Sequence, residues 1–164
     1  MTVPEQTLLA VDLGLRAGMA LYGSDGRLRW YRSTNFGTMA RLKQGLRTVL
    51  AQAGPLAWLY AEGDRHHFDL WTREATRIGA RPRRVAPEEW RPRLLLGRER
   101  RSGVEAKESA DLLAREVIAW SGAPAALSLR HDAAEAILIG LFGVLEIGWL
   151  DGLPPSIAAR HGRT

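Results

Sequence analysis

Short apolar runs closed by polar or turn residues alternate along the chain with longer stretches of helical spacing. Thr7–Asp12 is a run of leucine, alanine and valine that stops at an aspartate, the pattern of a buried strand. Ala17–Tyr22 is a second run, and Gly23-Ser24-Asp25-Gly26 behind it is a turn signal. Arg27–Ser33 alternates polar and apolar positions, as a half-exposed strand does. Three strands in hairpin succession therefore open the chain. Phe36–Ala53 then puts Met39, Leu42, Leu46, Val49 and Leu50 on one helical face before Gly54-Pro55 stops it. Leu56–Glu62 is apolar up to a glutamate, which suits a central strand covered on both faces.

The second half predicts a helix around Leu70–Ala80 and a short strand at Arg83–Ala86. Pro87-Glu88-Glu89-Trp90 reads as a helix start, with proline and acids in its first turn. A basic loop, Leu96 to Gly103, leads into a helix at Val104–Trp120 that Ser121-Gly122 ends, and a last helix runs from about Leu129 to Leu150. The order β-β-β-α-β-α-β-α-α-α describes one mixed α/β domain over residues 1–150. Residues 151–164, with Pro154-Pro155 and Gly162, are expected to form a flexible tail. Ala133 to Leu150 is strongly apolar but carries Glu135 and Glu146 and is shorter than the ~20 residues a membrane span needs. It reads as a core helix, and no membrane partner is expected.

Composition narrows the classes. A chain of 164 residues can bury a core without staples, and the absence of cysteine excludes zinc ribbons, thiol catalysis and disulfide scaffolds. The start carries no basic leader, and the expected location is the cytoplasm, in association with the nucleoid. The net charge of +5 is almost wholly arginine, since Lys43 and Lys107 are the only lysines. From Arg65 to Arg101 eleven arginines face five acids. Arg98, Arg100 and Arg101, between Gly97 and Gly103, are candidate phosphate contacts, because the guanidinium fork matches phosphate oxygens. The bland alternative is a solvated basic loop.

Four acids carry the candidate chemistry. Asp12 and Glu62 each close an apolar strand, and neighbouring strands would bring both to the sheet edge where ligands bind in open α/β folds. Asp132 and Glu135 lie three apart near the start of a helix, on one face and at its positive end. Glu135 falls in an apolar segment, where an unpaired carboxylate is costly. Acids grouped in this way repel one another unless a cation neutralises them, and two-metal phosphodiester hydrolysis needs such hard oxygen ligands.

In order and spacing these residues resemble the RuvC-like Holliday junction resolvases. The resemblance rests on Leu8-Leu9-Ala10-Val11-Asp12-Leu13-Gly14 with Gly18-Met19-Ala20-Leu21, and on Leu59-Tyr60-Ala61-Glu62. It continues through Pro87-Glu88-Glu89-Trp90 and Ala106-Lys107-Glu108 to His131-Asp132-Ala133-Ala134-Glu135-Ala136, covering roughly residues 7–145. It implies an RNase H-like fold, with a five-stranded mixed sheet of three antiparallel then two parallel strands flanked by α-helices. It also implies a homodimer that makes paired symmetric nicks in a four-way junction. Asp12 would bridge two Mg²⁺ ions, with Mn²⁺ able to substitute. Glu62, Asp132 and Glu135 would complete the ligand set, and Lys107 would contact a phosphate.

Two positions depart from the pattern. Glu135 stands where closer relatives have aspartate, so its reach is one bond longer. The segment Gly63 to Phe68 lacks the expected junction-opening aromatic, leaving Phe68 as a candidate wedge with core packing as the alternative. His131 is either a helix-start residue facing solvent or a ligand or proton carrier beside Asp132. His66 and His67 read as loop residues, and the six tryptophans mainly as packing. The competing functions are a non-catalytic branched-DNA-binding protein and an RNase H-fold nuclease acting on RNA precursors. A sugar-kinase or actin-like ATPase half would need a second domain and a second phosphate loop, which this chain lacks.

Overall fold

Leu8 to Val11 are all apolar because the first strand is covered on both sides. Leu8 and Ala10 enter one core, and Leu9 and Val11 the other. The computed structural model describes residues 3–97 and 102–161. Its strands are β1 (Thr7–Asp12), β2 (Arg16–Gly23), β3 (Leu28–Asn35), β4 (Leu56–Glu62) and β5 (Arg81–Arg84). They form one sheet in the order β3-β2-β1-β4-β5. β1–β2 and β2–β3 are antiparallel, while β1–β4 and β4–β5 are parallel. This is the five-stranded mixed sheet expected of an RNase H-like fold.

The helices are α1 (Met39–Gln52), α2 (Arg65–Arg77), α3 (Pro87–Leu94), α4 (Gly103–Ser121), α5 (His131–Glu146) and α6 (Pro155–His161). α1 and α2 cover one face through Leu42, Leu46, Trp71 and Ala75. α5 lies against the other face, with α3 and α4 packed on it. From Ala133 to Leu145 every residue of α5 is buried. Among the described residues no helix is long and apolar enough to cross a membrane.

Two glycines let α5 approach the sheet. A Cβ on Gly140 would stand 2.2 Å from the ring of Tyr22, whose hydroxyl donates to the Ile137 carbonyl. At the start of the helix the fit is closer still. A Cβ on Gly18 would stand 1.9 Å from the Asp132 carbonyl oxygen, so β2 and the first turn of α5 meet backbone to backbone. At the far end of α5, Glu146 accepts from Tyr60 at 2.6 Å and pairs with Arg83 at 3.1 Å. Arg83 also holds Glu89 of α3 at 2.9 Å.

Several expected boundaries move. α2 starts five residues before the predicted Leu70, because the Asp64 side chain caps it by accepting from His67 N at 3.0 Å. His66 and His67 thus sit in a helical first turn and not in a loop. β5 begins at Arg81, two residues early, as a polar edge strand in which Pro82 is tolerated. The flexible tail is corrected over Pro155–His161. There a short helix buries Ile157 fully, and His161 Nε2 lies 2.9 Å from the Leu94 carbonyl oxygen.

Gly18→Ala is expected to cost about 3 kcal/mol, as overpacking against rigid backbone does, measured by urea unfolding. Gly103→Ala, whose Cβ meets nothing within 4 Å among the described residues, serves as the control and should stay within ~0.5 kcal/mol. Equal behaviour of the two variants would contradict the close approach.

Candidate active site

The sheet register fixes Asp12 between the other acids. Its partner across the parallel pair is Glu62, so two carboxylates leave adjacent strand ends together. Just beyond them Leu13 N donates to the Glu62 carbonyl at 2.8 Å. Its partner across the antiparallel pair is Gly18, the residue against which the Asp132 backbone rests. Glu135 follows three residues along α5 and lies on the same helix face as Asp132. Register, a glycine contact and a helical turn therefore assemble four acids from three stretches of chain.

Three of the acids are engaged by protein donors. Trp90 Nε1 donates to Glu62 Oε2. Ser33 Oγ, from β3, donates to Asp132 Oδ2 at 2.8 Å, and Ala133 N donates to Asp132 Oδ1 at 2.8 Å. Glu135 is only 6% exposed, and its Oε1 faces Arg91 Nη2 at 3.3 Å and His131 Nε2 at 3.1 Å. Its Oε2 is buried, with no hydrogen-bond partner among the described residues.

Burial and crowding set the charge states. The Asp12 carboxyl is pushed up to about 7, first by burial and then by the negative charges of Glu135, Glu62 and Asp132, with Arg91 opposing. Burial also raises Glu62, against the pull of the Trp90 N–H, and raises Glu135, against the pull of Arg91 and Lys107. His131 is held below its ordinary range by burial and by the cations Lys107 and Arg91, so its neutral form is favoured.

The donor set is all carboxylate oxygen, the chemistry that suits Mg²⁺. The bare buried oxygen of Glu135 is the kind of group a cation would satisfy. As the side chains stand, however, no three His, Asp or Glu residues among the described residues are close enough to hold one ion. Glu62, Asp132 and Glu135 are drawn instead onto Trp90, Ser33 and Arg91. The sheet register and the Gly18 contact bring the backbones of these residues to one end of the sheet. The residues fit a divalent cation in the chemistry of their donors.

Lys107 is exposed on α4. It lines an open cleft of about 460 Å³ with His131, Asp111 and Leu129, close enough for its charge to act on His131 and Glu135. Phe68 is half-buried against the core under α2, on the packing side of its two readings. Arg98, Arg100 and Arg101 lie outside the described residues. His131, left open between solvent and site, points its Nε2 at Glu135. Sequence reasoning missed Ser33, Trp90 and Arg91. Trp90 packs in the core, as its sequence setting predicts, and is fully buried, but its indole N–H also donates to Glu62.

No protein-family model matches the chain, and no curated protein sequence does. Among solved structures the chain is similar to T. thermophilus RuvC in complex with a Holliday junction substrate. The TM-score is 0.61 at 14% identity, over 87% of this chain and 96% of that one. The likeness is one of fold. The chain has a RuvC-like, RNase H-like architecture.

A carboxyl that titrates near 7 when folded, and near 3.8 when unfolded, binds a proton between those values only in the folded state. Stability then falls as pH rises through that window, and the full penalty stands above it. His131 acts in the opposite sense below its ordinary 6.5, so the comparison belongs at pH 6.5 and above. In EDTA at pH 8, Asp12→Asn is expected to raise Tm by roughly 3–6 °C, at about 2–4 °C per kcal/mol. The gain should shrink at pH 6.5. A lowered Tm at pH 8 would show that Asp12 is not repelled by its neighbours.

Proposed function

We propose that the chain is a structure-specific endonuclease that resolves four-way DNA junctions by metal-assisted phosphodiester hydrolysis, making paired symmetric nicks. The observation that carries this reading is the convergence of Asp12, Glu62, Asp132 and Glu135 at one end of an RNase H-like sheet, where burial first and the neighbouring charges second lift Asp12 to about 7. The likeness in fold to a protein bound to a Holliday junction supports the choice of branched DNA as substrate.

In this reading Asp12, Glu62, Asp132 and Glu135 would hold two Mg²⁺ ions, or Mn²⁺ in their place. The ions supply Lewis-acid stabilisation of the attacking and leaving oxygens. The rest falls to the chain itself. Ser33 and Trp90 orient Asp132 and Glu62, and α5 sets its positive end behind Asp132. Lys107, exposed at the rim, takes a phosphate beside the one cut. A neutral His131 next to Glu135 can accept a proton. Arg98, Arg100 and Arg101 position the duplex without reading its sequence. Paired nicks need two active sites, so the working unit is two copies of this chain on one junction, in the cytoplasm with the nucleoid. A purely DNA-binding role would leave the costly acid cluster without a purpose.

The test offers labelled four-way junction, linear duplex and flap DNA to the purified protein, with Mg²⁺, Mn²⁺ or EDTA. Symmetrical nicks in the junction, lost in EDTA, are expected. Asp12→Asn and Asp132→Asn should each abolish cleavage while junction affinity stays within about threefold, under 1 kcal/mol. Binding should weaken steeply with salt. Cleavage in EDTA, or equal cutting of plain duplex, would overturn the assignment.

A further inference from the structure

Two consecutive residues of α3 reach two different acids of the site, Trp90 reaching Glu62 and Arg91 reaching Glu135. The Arg91 contact joins a single nitrogen to a single oxygen at 3.3 Å, and not the paired fork that makes guanidinium–carboxylate contacts strong. Arg91 keeps 36% of its side chain exposed, while Glu135 keeps 8%. The acid is fixed in the protein, and the guanidinium has open space to leave into. The second Glu135 oxygen is buried and bare, so Arg91 offsets the charge incompletely. Arg91 also lowers Asp12 and Glu62, which places its charge over the whole cluster.

We propose that Arg91 is a positioning residue of the cation site, an internal counter-ion that holds Glu135 until a divalent cation displaces it, and so sets how tightly that cation binds. The inference rests on the metal-nuclease reading above. Arg91 and the metal compete for one carboxylate. Removing the arginine therefore strengthens metal binding and, without metal, leaves Glu135 uncompensated.

The test titrates Mn²⁺ into the full chain by calorimetry, without DNA. Arg91→Met is expected to bind Mn²⁺ about five- to tenfold more tightly than the native protein, a typical coupling between linked sites. It should melt lower than the native protein in EDTA, and the deficit should vanish in saturating Mn²⁺. A merely structural arginine would leave the deficit in place. Arg93→Met removes an equal charge from the same helix, where Arg93 lies over the Phe142 ring, and should change affinity by less than about twofold. Should Arg91→Met not fold, Arg91→Lys, which keeps the charge but loses the reach, is expected to bind Mn²⁺ more tightly by about two- to threefold. Native affinity in Arg91→Met, or failing that in Arg91→Lys, with Glu135→Gln still weakened, would overturn this inference and leave the metal reading intact. No Glu135-dependent Mn²⁺ binding in any form would overturn both.

Discussion

Like charges forced together under partial burial are the constraint around which this molecule is arranged. Water would screen four carboxylates at little cost, but at the end of a covered sheet they repel one another and lose hydration together. The sheet register puts Asp12 beside Glu62, and the α5 contact at Gly18 adds Asp132 and Glu135. No local change relieves the crowding, because the four acids are fixed by three different parts of the fold. The relief comes from donors aimed into the cluster: an indole N–H, a serine hydroxyl, one guanidinium and the positive end of a helix.

That arrangement explains why α5 must be both apolar and thin. Its sides are covered by the sheet, α3 and α4, so polar residues beyond Glu135 have nowhere to go until Glu146 at its end. Small residues at Gly140 and Gly143 let it sit low on Tyr22, Leu8 and Tyr60. A helix standing farther off would carry Asp132 away from Asp12. The depth of the hydrophobic packing and the geometry of the acids are one quantity, set by how closely backbone can approach backbone.

The strands and the acids that end them could be read from the chain, because burial on two faces leaves a continuous apolar run and a carboxylate after it stands out. The paired acids of α5 were legible for the same reason, as charges in an apolar setting. What the pattern hid depended on contacts distant in sequence. The polar first turn of α2 carries no apolar period, and only the Asp64 cap reveals it. The helix at Pro155–His161 is anchored by one isoleucine, Ile157, buried in the core. Ser33 looks like any residue of a half-exposed strand, Trp90 like any core aromatic, and Arg91 like one of many arginines. Their roles arise where β3 and α3 pass the acids, and spacing along the chain does not encode that.

The ion-pair chain from Tyr60 through Glu146 and Arg83 to Glu89 joins the far end of α5 to the start of α3. Glu89 immediately precedes Trp90, so the aim of the indole and of the guanidinium after it is anchored to a polar knot on the protein surface. The acid-bearing strand ends are thereby tethered to the far end of α5 by a short helix acting as a lever. Drift in surface residues that touch no acid at all can retune the site through that lever.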